Sequence, residues 1–327
     1  MENEPTPLIS VVVPLYKEAV QLRTFLDKAN SELAGTGLRY ELIAVDDGSP
    51  DETWQVISEQ AQNLPHLHAL RLSRNFGKEL ALCAGLERAR GDAVIVMDGD
   101  GQHPPSLVPE MVRLWQTTGA AVVEAVKVKR GRETLSGKLS ALLFYIILNK
   151  LSGFDLKGAS DFKLMNRKAV NAWLAMRERN VFFRGMTVWM GFTTVRVPFE
   201  VAPRSAGTSG WSYLKRVRLA VTGLTAFSSL PLQLVTLAGG LFFIFAVVLG
   251  AQTLYLKLLG RAVSGFATVI LLELIIGSLL MISLGIVGEY LARIYEEVKK
   301  RPRYFIADSI GGDPSGNKPA YRESPDV

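Results

Sequence analysis

The stretch DAVIVMDGDGQHPP (92–105) decides the fold, because it joins a short apolar run directly to a pair of acidic residues. The apolar run from Val94 to Met97 is typical of a buried β-strand. Asp98 and Asp100 follow it, and two carboxylates that face a cleft repel each other unless a cation lies between them. Such hard oxygen ligands favour Mg²⁺ or Mn²⁺, which share their coordination with substrate phosphates. A solvated turn is the alternative, since Asp and Gly are also turn residues.

Similar β-branched runs lie on both sides of this stretch, and segments of helical period separate them. Strands are predicted at 8–14, 41–47, 68–72, 92–98 and 120–126. Helices are predicted at 18–33, 51–62, 77–89 and 105–117. This alternation predicts a mostly parallel, doubly wound α/β sheet. Ligands of such sheets bind beyond the carboxyl ends of the strands, so the polar residues that follow each strand are expected to converge.

These polar residues are carboxylates and cations. Asp46 and Asp47 follow the second predicted strand and can accept hydrogen bonds from a base or a ribose, although Ser49 or Asp51 also suits a helix N-cap. Arg74 and Lys78 follow the third strand and supply the cations that a diphosphate needs. The alternative for Arg74 and Lys78 is that each forms a salt bridge at the protein surface.

Composition and motifs exclude several classes of protein. With 48% apolar and 21% charged residues, the chain is neither disordered nor collagen-like. One cysteine, Cys83, excludes a disulfide framework and a thiolate zinc site. A net charge of +6 without a basic stripe argues against nucleic acid as a partner. No G-x-G-x-x-G follows the first strand and no P-loop is present, which argues against a dinucleotide-binding oxidoreductase and excludes a P-loop nucleotidase.

Two apolar runs near the C-terminus predict membrane helices at 231–256 and 263–288, with Glu273 as their only charge. Each is long enough to cross about 30 Å of hydrocarbon. Nine Lys/Arg flank the pair and two lie in the loop between them, which predicts a hairpin with both ends in the cytoplasm. The N-terminus, MENEPTPL, lacks the pattern of a signal peptide, so we expect residues 1–204 to form a cytosolic domain of an integral membrane protein.

The segments next to the spans have their own predictions. Residues 205–228 carry an apolar stripe at helical spacing with basic residues off it, which predicts an amphipathic helix at the lipid surface. Residues 135–152 hold an apolar run too short to span, so they form either an interfacial helix or a core helix. Residues 291–327 are expected to form a cytosolic tail whose last ~20 residues are disordered.

Five motifs then occur in order: VVVPLYKE (11–18), VDDGSPD (45–51), LSRNFGKELAL (72–82), MDGDGQHPP (97–105) and GASDFKLMNR (158–167). With the two-span tail and its GEYLARIYEEVKKRPRY ending (288–304), the chain resembles the family-2 glycosyltransferases that charge polyprenyl phosphates, from about residue 8 to about residue 308. This family includes dolichyl-phosphate mannose synthases and bacterial undecaprenyl-phosphate glucosyltransferases. The resemblance implies a GT-A catalytic domain.

The resemblance also implies roles for residues of the donor site. The base would be held by Pro14, Tyr16, Glu18 and Asp47, with Asp46 nearby. Arg74 and Lys78 would approach the nucleotide, and Gln102 would face the donor. Asp98 would contact the ribose or the metal, and Asp100 would bind the metal, Mg²⁺ or Mn²⁺.

Further roles concern the acceptor. Asp161 matches the proposed catalytic carboxylate of the family, with an N-cap or a salt bridge to Lys163 as the alternative. Arg204 and Ser209 match the segment that closes over the phosphates. Lys127, Arg130 and Arg132 follow the fifth strand, where cations can meet the phosphate of a lipid, and a solvated basic loop is the alternative.

Four positions depart from the family pattern. Lys17 stands where relatives usually have Asn, and a cation there alters the nucleotide pocket. Lys127 stands where they often have Arg, and Lys cannot grip a phosphate through two parallel hydrogen bonds. Gly99 and Gly101 replace Ala and Leu.

The function implied is metal-dependent, inverting transfer of a hexose from a nucleotide sugar to a polyprenyl phosphate at the cytosolic membrane face. UDP-glucose and undecaprenyl phosphate are the expected donor and acceptor. GDP-mannose or an amino-arabinose nucleotide is the alternative donor, and a non-catalytic membrane scaffold is the alternative from another class. A processive polysaccharide synthase is disfavoured, because the chain has too few spans and no Q-x-x-R-W. The oligomeric state stays open, with a homo-oligomer as one outcome.

Overall fold

The structure, a computed structural model, describes residues 6–127, 160–199, 230–260 and 265–311. The chain divides into two compact units, one built on a β-sheet and one built on two long helices. The strands are β1 Leu8–Leu15, β2 Arg39–Asp46, β3 Leu67–Leu72, β4 Ala93–Val96, β5 Val122–Lys127, β6 Lys163–Asn166, β7 Thr194–Phe199 and β8 Ile306–Ile310. The helices are α1 Ala19–Ala34, α2 Thr53–Asn63, α3 Lys78–Arg88, α4 Val108–Thr118, α5 Arg167–Ala175, α6 Phe183–Trp189, α7 Leu230–Leu258 and α8 Phe266–Val298, with a short 3₁₀ turn at Pro105–Leu107.

The eight strands form one sheet in the order β7-β5-β6-β4-β1-β2-β3-β8. Four neighbouring pairs are parallel: β1–β2, β1–β4, β2–β3 and β5–β7. The pairs β4–β6, β5–β6 and β3–β8 are antiparallel. The predicted α/β class with a mostly parallel sheet is therefore confirmed, and the five predicted strands and four predicted helices all form.

The central strands are buried on both faces, which explains why their sequences are continuous apolar runs rather than alternating ones. In β1, every residue from Ile9 to Leu15 is buried. Helix α3 packs closely against this strand at Gly85, where a Cβ atom would lie 2.2 Å from Cγ1 of Val12. The register of the parallel strands β1, β2 and β4 brings their carboxyl ends to the same edge of the sheet. This places the polar residues that follow the three strands close together.

The edge strand β8 was not predicted. Residues 306–310 pair antiparallel with β3, opposite Ala69 to Leu72, with an irregularity between Arg71 and Leu72. The segment predicted to be disordered, GGDPSGNKPAYRESPDV (311–327), begins just after this strand. Residues 312–327 lie outside the described residues.

The second unit contains the two predicted apolar helices, and both are longer than predicted. Leu232–Leu258 and Leu272–Val298 are each 27 residues long, with mean hydropathies of 2.5 and 2.0. By length and composition both are candidate membrane spans, and their apolar side chains are exposed in the structure rather than packed in a core. The helices predicted within 135–152 and over 205–228 lie outside the described residues.

Candidate active site

A cavity of about 270 Å³ lies where the polar residues after the parallel strands meet. It is lined by Pro14, Leu15, Tyr16, Glu18, Asp47, Asn75, Gly77, Lys78, Ala81, Asp98, Gly99 and Asp100. The lining comes from four separate strand ends, which are those of β1, β2, β3 and β4. The predicted convergence of these residues at one edge of the sheet is therefore observed.

The turn after β1 forms one wall of the cavity. Lys17 has a left-handed backbone with φ of 61°, and its amide donates to Oγ of Ser49 over 3.1 Å. The Glu18 amide donates to Oγ1 of Thr53 over 3.0 Å. Asn adopts the left-handed conformation more readily than Lys, so the departure from the family pattern at position 17 costs backbone energy. The Lys17 ammonium lies 5.4 Å from the centre of the Tyr16 ring.

Asp47 joins the β2 end to the loop before α3. Its two carboxylate oxygens accept hydrogen bonds from the amides of Phe76, at 2.7 Å, and Gly77, at 2.8 Å. Burial raises the pKa of Asp47, and these two hydrogen bonds oppose that rise. Asp47 therefore shapes the cavity by fixing the loop at 73–77, in addition to lining it.

Asp46 and Arg74 do not line the cavity. Asp46 is fully buried, its Oδ1 accepts from the Ser49 amide at 3.0 Å, and its Oδ2 lies 3.5 Å from Nε of Arg71. Its predicted place beside the base is corrected accordingly, because the carboxylate faces the interior. The Arg74 guanidinium lies 4.2 Å from the centre of the Phe76 ring and donates to the Asn75 carbonyl.

Lys78 joins the carboxylates of Asp98 and Asp161. Its ammonium lies 2.6 Å from Oδ1 of Asp98 and 2.8 Å from Oδ2 of Asp161. Burial alone would lower the pKa of Lys78, but the two carboxylates raise it well above its usual range. Lys78 is thus a permanent cation at the N-terminus of α3, and it connects the predicted metal-binding aspartate to the predicted catalytic one.

Arg184, in α6, was not identified from the sequence. Its guanidinium donates to both oxygens of Asp161, over 3.1 and 2.8 Å. Burial alone would raise the pKa of Asp161, but Lys78 and Arg184 hold it far below its usual range. Asp161 is therefore ionised at neutral pH. The segment RERNVFFRG (177–185) has no clear periodicity, so nothing in the sequence distinguished this arginine from a surface one.

His103 is a second residue of the site whose role the sequence did not reveal, although it belongs to a quoted motif. Its Nδ1 accepts from the Asp98 amide at 2.8 Å, so the proton of the neutral ring is on Nε2, 3.8 Å from Oδ2 of Asp98. The ring stacks on Phe162, with centroids 4.9 Å apart. Burial lowers the pKa of His103, so the ring is neutral and holds the Asp98 backbone in place.

Asp100, Gln102 and Lys127 lie around the same carboxylates. Oδ1 of Asp100 accepts from the Gln102 amide at 3.0 Å, an arrangement typical of an Asx turn. Burial lowers the pKa of Lys127, and the nearby Asp98 opposes this, which places the end of β5 within electrostatic reach of the cluster. Over the described ranges, no group of three or more His, Cys, Asp or Glu is arranged to hold a metal by itself.

Glu79 lies behind this cluster and was not predicted. Its Oε2 accepts from the Phe183 amide at 2.8 Å, at the start of the helix that carries Arg184. Burial raises the pKa of Glu79 to about 7, and the neighbouring charge of Asp161 adds to the rise.

The alternative interpretation of Asp161, as an N-cap or a partner of Lys163, is wrong. Asp161 precedes strand β6 rather than a helix. Lys163 points elsewhere, with its ammonium 3.2 Å from Oε1 of Glu124 and 2.7 Å from Oγ1 of Thr187. Glu124 also accepts from the Ser160 amide at 3.1 Å, so this buried pair supports the backbone just before Asp161.

Four predicted acceptor-site residues cannot be placed in this geometry. Arg130, Arg132, Arg204 and Ser209 lie outside the described residues. The candidates that the structure brings together at the cavity are Pro14, Tyr16, Glu18, Asp47, Lys78, Asp98 and Asp100, and Lys78 joins Asp161 to them.

The chain is similar to several known proteins. Residues 10–174 match glycosyl transferase family 2. The chain is 35% identical over 322 residues to the "Uncharacterized glycosyltransferase YkcC" of Bacillus subtilis (strain 168), covering 96% of this chain and 97% of that one. It is 35% identical over 308 residues to the SfII prophage-derived bactoprenol glucosyl transferase of Shigella flexneri, covering 94% of this chain and 99% of the relative.

Among solved structures, the mannosyltransferase PcManGT from Pyrobaculum calidifontis, in complex with GDP-Man and Mn²⁺, has a TM-score of 0.47 and 20% identity. The match covers 68% of this chain and 64% of that one. The sheet of this chain is of the mixed α/β class that the sequence predicts. Since near-full-length relatives share more than a third of its residues, the chain belongs to glycosyl transferase family 2 and is a glycosyltransferase.

Proposed function

We propose that this protein transfers glucose from UDP-glucose to undecaprenyl phosphate at the cytosolic face of a membrane. The observation that carries the proposal is the 35% identity, over 94% of the chain, to a protein named as a bactoprenol glucosyl transferase. The cavity, lined by charged and polar side chains, suits a charged donor. The two apolar helices suit a lipid acceptor.

The cavity suits a nucleotide-sugar donor. Pro14, Tyr16, Glu18 and Asp47 line it with a ring and two carboxylates, which can bind a base and a ribose. Gly77 and Lys78, at the N-terminus of α3, also line it, and helix N-termini favour anions such as a diphosphate. Arg74 and Gln102 would approach the donor from just outside this lining.

A divalent cation fits the carboxylates of the cavity. Asp98 and Asp100 both line it, and their oxygens are the hard ligands that Mg²⁺ and Mn²⁺ prefer. Two protein ligands are enough when diphosphate oxygens complete the coordination, as is usual for Mg²⁺. Bound there, the ion would neutralise charge on the departing nucleoside diphosphate. Lys78, 2.6 Å from Asp98, supplies one positive charge at the same place.

The acceptor explains why the site needs ionised groups more than a general base. A phosphate monoester is largely a dianion at pH 7, because its second pKa is about 6. One of its oxygens forms the bond to the anomeric carbon of glucose, while the bond from that carbon to the diphosphate breaks and UDP leaves with the electron pair. Attack from the opposite face inverts the anomeric carbon. No proton has to be removed from the acceptor.

In this step Asp161 would act as a negatively charged carboxylate, which a protonated acid could not do. Lys78 and Arg184 keep it ionised, so its negative charge can stabilise an oxocarbenium-like transition state or orient the acceptor. Lys127 would help to neutralise the acceptor phosphate, together with Arg130, Arg132, Arg204 and Ser209.

The membrane arrangement is part of the proposal. The excess of Lys and Arg on both sides of the helix pair, against two in the connecting loop, favours cytoplasmic ends. The site would then meet the phosphate of a lipid that is anchored in the inner leaflet.

The test is an incubation of membranes containing the protein with undecaprenyl phosphate and, separately, UDP-glucose, GDP-mannose and an amino-arabinose nucleotide. Mass spectrometry of the extracted lipid identifies the product. We expect a hexose-bearing lipid with UDP-glucose. Product only with another donor would overturn the choice of sugar, and no lipid product with any donor would overturn the acceptor.

Two aspartate variants provide the matched comparison. Asp161→Asn should abolish the product, because the amide cannot carry the charge. Asp27→Asn, on the exposed face of α1, should leave product formation unchanged. Normal turnover in Asp161→Asn would remove Asp161 from the mechanism.

A further inference from the structure

The segment that follows the second long helix, residues 302–311, reaches the loop at 73–77 that contributes to the cavity. We call residues 302–311 the C-terminal strap and residues 73–77 the cavity loop. We propose that Phe305, within this strap, is a positioning residue of the nucleotide-sugar site. This inference rests on the proposed function, because it assigns the cavity to the donor.

The C-terminal half of the strap is attached to strand β3. Its strand β8 pairs with β3, and Asp308 lies 3.8 Å from Arg71, whose Nε is 3.5 Å from Asp46. The carbonyl of Gly311 contacts Nδ1 of His68. The last residues of β3 and the first of the cavity loop are therefore held by a part of the chain more than 200 residues away.

The other end of the strap is fixed on α3. Arg303 donates to Sγ of Cys83, over 3.7 Å, and to the Met176 carbonyl, over 3.3 Å. The Tyr304 hydroxyl donates to Oε2 of Glu87 over 2.6 Å. The strap therefore runs across the cavity loop from helix α3, which follows the loop in the sequence, to strand β3, which precedes it.

Phe305 makes the contact with the cavity loop itself. Its carbonyl accepts from the Ser73 amide at 2.9 Å, and its ring lies 6.5 Å from the Phe76 ring, centre to centre. Phe76 and Gly77 donate the two hydrogen bonds that hold Asp47. A single chain of contacts therefore leads from Phe305 through Phe76 to Asp47, which lines the cavity.

This chain of contacts predicts which kinetic constant depends on the strap. The strap contacts Ser73 and Phe76, the neighbours of the lining residues Asn75 and Gly77, and makes no hydrogen bond to Asp161 or Arg184 among the described residues. Removing the Phe305 ring, which contacts Phe76, should weaken donor binding and leave the chemical step intact. The expected change is a rise in donor KM with an almost constant kcat.

The experiment compares Phe305→Ala with Tyr304→Phe in the full-length protein in detergent or nanodiscs. Phe305→Ala should raise the KM for UDP-glucose about tenfold and weaken UDP binding equally. Tyr304→Phe removes a strap hydrogen bond to the far end of α3, so it should lower thermal stability without changing KM. Phe305→Leu keeps an apolar side chain of similar size and should recover most of the affinity for UDP-glucose. This variant replaces Phe305→Ala in the comparison if the alanine variant does not fold.

Hydrogen exchange gives a second readout that needs no substrate. The amides of Phe76 and Gly77 should exchange faster in Phe305→Ala than in the wild type and in Tyr304→Phe. Unchanged exchange at these two amides, an unchanged KM, or an equal rise of KM in Tyr304→Phe would overturn the inference. If the wild-type protein uses no nucleotide sugar, the proposed function fails, and the exchange rates still decide whether the strap orders the loop.

Discussion

Arg184 binds both carboxylate oxygens of Asp161, with Nε 3.1 Å from Oδ1 and a terminal nitrogen 2.8 Å from Oδ2. Such a fork fixes the orientation of the carboxylate as well as its charge. Lys78 adds a second cation on the same oxygen, Oδ2. A carboxylate held in this way cannot rotate or take up a proton at neutral pH, which are the properties that charge stabilisation in a transition state requires.

The fork on Asp161 can be tested by Arg184→Lys. Lysine keeps the positive charge but cannot bind both oxygens, so we expect kcat to fall about tenfold with little change in stability. The measurement is steady-state turnover together with thermal unfolding. Arg113→Lys is the matched control, because Arg113 makes the same two-pronged contact with Glu110 on the exposed surface of α4. Equal kcat values in Arg184→Lys and wild type would show that orientation of Asp161 is unimportant.

The buried Glu79 predicts a specific dependence of stability on pH. Its pKa is raised by burial from an ordinary value of 4.5 to about 7, so the folded protein binds a proton in this range that the unfolded chain does not hold. The contribution of Glu79 to stability is therefore greatest below about pH 4.5 and is lost as the pH rises to about 7.

Glu79→Gln removes this titration and keeps an oxygen that can accept from the Phe183 amide. The melting temperature of the variant should consequently fall less than that of the wild type between about pH 5 and pH 7.5. The exposed Glu52→Gln is the control and should follow the wild-type curve over this interval. Parallel curves for Glu79→Gln and wild type would mean that Glu79 does not titrate in this range.

Gly48 can be distinguished from an ordinary turn glycine. It has φ of 63°, and a Cβ atom there would lie 2.4 Å from the carbonyl carbon of Arg74. Gly37 has a similar φ of 68°, but nothing lies within 4 Å of its Cβ position. Gly37→Ala should cost only about 1 kcal/mol for the left-handed conformation, whereas Gly48→Ala should cost about 1–3 kcal/mol more for the clash.

Chemical denaturation of the two glycine variants gives this difference directly. Because the clash is with the backbone of the cavity loop, Gly48→Ala should also weaken UDP binding, and Gly37→Ala should not. Equal losses of stability would show that the loop moves aside at no cost.

The buried pair of Glu124 and Lys163 provides a prediction about folding. Both side chains are almost fully buried, at 3% and 1% exposure. Lys163→Met removes the buried cation of Glu124 and leaves the half-exposed Arg196, whose Nε lies 3.9 Å from Oε2, as a weaker partner. The variant should destabilise the protein by about 3–5 kcal/mol. The double variant Glu124→Gln/Lys163→Met should recover a large part of that loss. A Lys163→Met variant as stable as the wild type would show that water already reaches Glu124.

The sequence was most informative where local pattern and burial agree. The strand predicted at 92–98 forms as Ala93–Val96, and Asp98 and Asp100 follow it into the cavity as expected. The two apolar helices were equally clear, because helices of soluble domains rarely stay apolar on every face over such a length.

Long-range pairing could not be predicted in the same way. Strand β6 carries Lys163 in its first position, a charge that is tolerated only because Glu124, far away in sequence, lies beside it. Asp161 was identified by its motif, but its partners Lys78 and Arg184 come from two other elements. Strand β8, with the sequence IADSI, is short and half polar, and it becomes a strand only by pairing with β3.

The place of β8 also limits how the enzyme can be made water-soluble. Deleting everything from Leu230 onward would remove both apolar helices, but it would also remove β8 and leave the outer edge of β3 unpaired. The bare edge would present unpaired amides and carbonyls to neighbouring molecules, which invites aggregation. Excising the hairpin and splicing 302–311 back through a flexible linker would preserve the sheet.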